Sequence, residues 1–205
     1  MRLAIVVEGR TEEEFVNGLV APELRCLGIT SQPIVLGGNV SIDRVAAEMA
    51  DLSWDFESVT SLVDYYGFKD KRNHTPEHIQ NSIDNRTGDI IGRKYNQYRI
   101  FSYVQKHESE GLLFSDTSAF DRLFGRNKEY GMRLRDIRLP FHTPEDINDS
   151  SETAPSKRIA SVVPRYDKVL DGPLVAMETG LRAIRLECPR FDAWISHLES
   201  QADTD

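Results

Sequence analysis

With 33 acidic and 25 basic side chains among 205 residues, the chain carries a formal net charge of −8. Its length fits one domain at about 100–200 residues per domain. Forty per cent apolar and 28 % charged residues, with a mean hydropathy of −0.44, describe a soluble globular chain that needs no disulfide or metal staple to fold. The acidic balance argues against a stand-alone nucleic-acid binder, which would carry a basic patch. It leaves room for one whose carboxylates hold metal ions or whose partner supplies the basic surface.

Residues 3–7 form the first apolar run, β-branched and closed by Glu8-Gly9, and read as a buried strand. The run is too short for a spanning helix or a signal segment, so a cytoplasmic protein with no membrane role is expected. Thr11 with Glu14 fits a capping box, and Glu12 and Glu13 suit the positive end of a helix that runs to about Leu27 and stops at Gly28. Residues 34–36, before Gly37-Gly38, read as a second strand. Ser41 caps a helix with Val45, Met49 and Leu52 on one face, and residues 59–63 form a third strand ending at Asp64.

A polar stretch over 69–96 holds a helix between Pro76 and Asn85, and 99–105 reads as a fourth strand. The segment from His107 to Phe114 and residues 117–124 read as helical, 140–155 as a loop, and 156–163, 173–186 and 191–200 as helices. Strand–helix–strand–helix–strand order predicts a parallel α/β sheet. One domain is expected over 1–205, with its core at about 1–115 and a helical portion at about 116–205. Cys26 and Cys188 lie far apart in no CxxC or Cys/His pattern, which predicts free thiols and no zinc site.

Ligands of parallel α/β sheets gather outside the carboxyl ends of the strands. Applied here, that rule collects Glu8 and Glu12 after strand one, Asp64 after strand three, and His107, Glu108 and Glu110 after strand four. Oxygen donors without sulfur suit Mg²⁺ or Mn²⁺. Each residue also has a plainer role. Glu12 to Glu14 are ordinary first-turn acids, Asp64 a turn former, and His107 an orienting or surface histidine; Glu108 and Glu110 cannot point the same way on a helix. Glu8, ending an apolar strand before Gly, is harder to explain by solvation alone.

Pro155-Ser156-Lys157-Arg158 reads either as a phosphate site at a helix start or as an ordinary capped helix. Lys69, Lys71 and Arg72 with Tyr65 and Tyr66 read either as a nucleic-acid contact or as a solvated loop.

Several of these motifs carry a resemblance. The run Val7-Glu8-Gly9-Arg10-Thr11-Glu12-Glu13-Glu14-Phe15 resembles the EGxTEExF opening of Toprim-like proteins, the topoisomerase–primase nuclease fold. Asp64-Tyr65-Tyr66-Gly67-Phe68 and His107-Glu108-Ser109-Glu110-Gly111-Leu112-Leu113-Phe114 extend the likeness to the bacterial domain-of-unknown-function family 4276. So do Asn148-Asp149, Ala154-Pro155-Ser156-Lys157-Arg158 and Cys188-Pro189-Arg190-Phe191-Asp192-Ala193-Trp194.

The resemblance implies a Rossmann-like Toprim core and Mg²⁺-dependent phosphodiester chemistry, with Glu8, Asp64 and Lys157 catalytic. Glu8, Glu12, Asp64 and Glu108 or Glu110 would hold the metal, and Ser156, Lys157, Arg158 and Lys69 phosphate. Tyr66 stands where the second acid of the Toprim DxD belongs, and Asp70 lies six residues beyond Asp64. An ABC-type ATPase partner in a bacterial defence-like system is the implied setting. The expected function is a metal-dependent nuclease. The alternatives are a non-catalytic partner subunit of that ATPase and a small-nucleotide phosphohydrolase.

Overall fold

A computed structural model describes residues 1–69, 74–125, 129–148 and 153–202. Asp70, Lys71, Arg72 and Asp149 lie outside them. The chain is α/β, a parallel five-stranded sheet flanked by helices and followed by a helical C-terminal part. Strand β1 (Arg2–Val7) pairs with β2 (Thr30–Val35) on one side and with β3 (Ser58–Asp64) on the other, with Val7 opposite Val35 and Leu62. β1 and β3 are thus the central strands, and their carboxyl ends emerge side by side. β2 starts earlier than the apolar run 34–36 because pairing to β1 carries polar residues; its Pro33 is tolerated on a strand with one free edge.

Alternation along the central strands splits the core into two layers. Leu3, Ile5, Val7 and Leu62 face one side, under the N-terminal helix and the C-terminal helices. Ala4, Val6, Val59 and Val63 face the other, against Val45 and Met49 of α3 (Ile42–Leu52) and Ile79 and Ile83 of α4 (Pro76–Ile91). α4 runs one and a half turns past the expected Asn85, to a stop at Gly92, whose φ is +68°.

The N-terminal helix is continuous but not uniform. α1 (Arg10–Phe15) passes through a π turn (Val16–Val20) into α2 (Ala21–Cys26). The wider turn accommodates Pro22, whose ring cannot follow a regular helical turn. The helix starts at Arg10, so the expected Thr11–Glu14 box is replaced by one at Gly9 and Glu12, where Gly9 N donates to Glu12 Oε2 at 3.0 Å.

The fourth strand is broken into β4 (Ile100–Phe101) and β5 (Val104–Gln105), both parallel to β3. The cause is Ser61, whose hydroxyl takes Tyr103 N from the ladder at 3.0 Å and also donates to Tyr103 O at 3.0 Å, beside the bond that Val63 N makes to the same oxygen at 3.4 Å. Ser102 N and Val104 N turn to Asp84 and Gln80 of α4.

From Ser109 to Asp116 the chain is 3₁₀, followed by α5 (Ser118–Phe124) and α6 (Tyr130–Arg138). The sequence pattern assigns no element to α6. α7 (Pro155–Val162) opens one residue before Ser156. The helix expected over 173–186 is two: α8 (Lys168–Thr179), with Pro173 inside it, and α9 (Leu181–Glu187), parted by Gly180 at φ +82°. α10 (Pro189–Ser200) closes the fold, its Trp194 stacked on Tyr103 at 5.1 Å and donating Nε1–H to Thr60 Oγ1 at 3.0 Å. Among the described residues no helix is long and apolar enough to cross a membrane.

Thr60 and Trp194 are both buried. Replacing Thr60 by the isosteric Val leaves the indole N–H without an acceptor, and should cost about 1–3 kcal/mol in urea-denaturation measurements.

Candidate active site

The turn after β2 fixes the end of β1. Gly37 N and Gly38 N donate to Glu8 O at 3.1 and 3.2 Å, and both glycines have positive φ, +73° and +82°. Only residues tolerant of that region can aim two successive N–H groups this way. The Glu8 side chain rises beside Gly67, where any Cβ would collide with its carboxylate.

Ser109 organises the next two acids. Its N–H donates to Asp64 Oδ1 at 3.0 Å and its hydroxyl meets Glu12 Oε1 at 3.5 Å. Asp64 and Glu12 are 5 % and 4 % exposed, so neither is a surface acid. Glu110, 2 % exposed, approaches from the first turn of the 3₁₀ segment.

Glu8, Glu12, Asp64, Glu108 and Lys168 line a cavity of about 340 Å³, together with Tyr66. Lys168 Nζ lies 3.0 Å from Glu110 Oε2 and 3.8 Å from Asp64 Oδ2. Five acidic side chains (Glu8, Glu12, Asp64, Glu108 and Glu110) therefore share the surroundings of one ammonium.

Their protonation follows. Burial pushes the Asp64 carboxyl well above its usual range; Lys168 pulls it back, and the charges of Glu12, Glu110 and Glu8 raise it further. Burial lifts Glu110 to about 7 against the pull of Lys168. Glu8 is raised by burial and then by the Glu12 charge. Burial disfavours the Lys168 ammonium, but Asp64 and Glu110 outweigh it and hold its pKa above the ordinary lysine value.

The structure brings Glu8, Glu12, Asp64 and Glu108 together and joins Glu110 to them through Lys168. Glu108 is extended backbone ahead of the 3₁₀ segment, so the helical geometry expected for Glu108 and Glu110 does not apply, and Glu108 Oε2 accepts from Ser156 N at 3.1 Å. That bond ties the first turn of α7 to the cavity and occupies the N–H that the sequence offers to phosphate. Lys157 is exposed one residue on. Arg158 Nε donates to Thr153 O at 2.6 Å and its guanidinium lies 5.2 Å over Phe141. Lys69 is elsewhere: it donates to Asn39 Oδ1 at 3.2 Å and lines a separate cavity with Ser41 and Phe68.

His107 takes an orienting place, at φ +67°, its Nδ1 3.3 Å from Asn148 Nδ2, which also donates to the Tyr66 hydroxyl. Among the described residues no three His, Cys, Asp or Glu side chains are gathered, as they stand, to hold a metal ion.

Lys168 is the residue that sequence reasoning missed. Its position becomes telling only once the helix start is known: it is the first residue of α8, where the helix dipole disfavours a cation, so its presence there calls for a local cause.

A pH dependence of stability follows. Glu110 binds its proton more tightly folded than unfolded. Its favourable contribution is complete below pH 4.5 and is lost as pH rises through about 7. Asp64 acts in the same direction. Urea denaturation across that window should show stability falling with pH, and Glu110→Gln should flatten the fall.

The chain belongs to the family described as "Domain of unknown function (DUF4276)", whose model matches residues 7–199. Two solved structures of the C-terminal region of the Xanthomonas campestris pv. campestris OLD protein, phased with iodine and with mercury, are similar to it. Their TM-scores are 0.50 and 0.47, each at 16 % identity over 98 % of this chain and 95 % of theirs. The first supports a shared fold. No curated protein matches the chain.

Proposed function

We propose that this DUF4276 member is a Toprim-like, divalent-metal-dependent phosphodiesterase acting on nucleic acid. The observation that carries the reading is the charge imbalance at the carboxyl ends of β1 and β3. Glu8, Glu12, Asp64, Glu108 and Glu110 share a single Lys168, three of the five acids are buried, and Glu110 Oε1 has no hydrogen-bond partner. Such a cluster is costly unless further positive charge enters it. The donor set is oxygen alone, which fits Mg²⁺ or Mn²⁺ in kind.

Glu8, Glu12 and Asp64 would hold the ion, with Glu108 facing the same cavity. When bound, a divalent ion offsets charge on phosphate oxygens and acidifies the attacking water. If Glu12 and Asp64 hold the ion without it, Glu8 would instead accept a proton from that water. Lys157, exposed on the helix that Glu108 tethers, would meet substrate phosphate in this reading. Arg158 and Lys69 are committed to Thr153 and Asn39, and would have to leave those partners to join it. With a net charge of −8, the basic surface for a nucleic acid would come from a partner, for which an ABC-type ATPase is our candidate.

A second reading, a non-catalytic partner subunit, is favoured by Lys168 sitting on Asp64 and Glu110 and by Tyr66 in the second acid position.

Isothermal titration of Mn²⁺ into wild type and Glu8→Gln separates the two. A metal enzyme should bind saturably and lose more than about a hundredfold in affinity in the variant, beyond the roughly 10–100-fold that an outer-shell change alone costs. It should also cut plasmid or single-stranded oligonucleotides, with or without the ATPase. Failure to bind and to cut would support the partner-subunit reading. Cleavage of mononucleotides alone would make it a phosphohydrolase.

A further inference from the structure

We propose that Lys168 is a resident counter-ion of the carboxylate cluster, which yields its place on Asp64 and Glu110 when a divalent ion binds. The inference rests on the metal-site reading above and adds how the site is kept before the ion arrives.

The ammonium lies 3.0 Å from Glu110 and 3.8 Å from Asp64, whose side chains are 1 % and 6 % exposed, while the Lys168 side chain is 37 % exposed. It therefore reaches two buried charges from a more open position and lines the cavity that an ion or a phosphate would enter. A long, flexible stem lets the head leave without moving the backbone.

The backbone itself is held. α8 packs against α1 at Gly172, where a Cβ would stand 3.9 Å from the Thr11 methyl and 3.2 Å from the Tyr166 hydroxyl. An added Cβ would thus meet Thr11 of α1 in ordinary contact and crowd the Tyr166 hydroxyl, so α8 lies in direct contact with α1 along the turn that follows Lys168.

The pairing is also incomplete. Glu110 Oε1 and the Tyr166 hydroxyl are buried without hydrogen-bond partners, and Tyr166 feels the Glu110 charge. One ammonium faces five acids, so exchange for a doubly charged ion adds positive charge where carboxylates outnumber cations. Lys168 would thus hold the metal-free site together and set the ion concentration at which it fills.

Two measurements test this. Mn²⁺ titrated into Lys168→Met should bind about tenfold or more tightly than into wild type, because a like charge near the ion is gone. The metal-free variant should melt below wild type and gain more from Mn²⁺. Equal or weaker binding by the variant would overturn the proposal.

The second measurement uses the wild type. Lysine acetylation read by mass spectrometry should find Lys168 protected without metal and several-fold more reactive with Mn²⁺, while other lysines hold their rates. Protection unchanged by saturating Mn²⁺ would overturn it.

The outcomes separate this inference from the metal-site reading. Binding of equal strength in both proteins sinks the counter-ion alone, and no binding in either sinks both. Binding by Lys168→Met alone would show an ammonium that bars the ion rather than yields to it, which overturns the counter-ion and turns the function toward the non-catalytic subunit.

Discussion

Placing several carboxylates at the adjacent ends of two buried parallel strands is the constraint on which the rest of this structure turns. Like charges in a water-poor setting repel strongly, and each buried carboxylate needs donors to replace its lost hydration. The chain meets the demand piece by piece. Ser109 gives its N–H to Asp64 and its hydroxyl to Glu12, Gly9 gives its N–H to Glu12, and Lys168 faces Glu110 and Asp64. Even so, Asp64 and Glu110 keep raised proton affinities, so the donors present do not fully offset burial.

The fold serves that arrangement. Because β1 lies between β2 and β3, the Gly37-Gly38 turn after β2 reaches Glu8 from one side while Asp64 rises on the other. The break in the fourth strand at Ser102-Tyr103, opposite Ser61 of β3, separates β4 from β5, which leads through His107 into Glu108 and the 3₁₀ turn that carries Ser109 and Glu110. The C-terminal helices add what the sheet lacks: α8 supplies Lys168, and α7 supplies the N–H that orients Glu108.

The parts legible in the sequence are those written as local patterns. Apolar, β-branched runs closed by acids mark β1 and β3, and the rule that ligands gather at strand ends was enough to nominate Glu8, Glu12, Asp64 and Glu108 for one edge. The parts not legible depend on side chains bonding across long sequence separations. Nothing near residue 103 tells that Ser61 will take its backbone groups. Nothing near residue 64 points to Lys168, about a hundred positions later. Pro173 was a misleading mark, read as the start of a helix that begins a turn earlier and so hides Lys168. The capping box was misplaced for a related reason: Gly9, with no side chain to cap, still takes the Glu12 carboxylate on its N–H.

The central claim is that the strand-end carboxylates form a metal site, and the position of a bound ion tests it most directly. Crystals grown with Mn²⁺ should give an anomalous difference peak in ligating contact with Asp64 and with Glu8 or Glu12, with the Lys168 ammonium withdrawn from Asp64. A cavity without a peak at saturating Mn²⁺, and Lys168 still on Asp64 and Glu110, would contradict it.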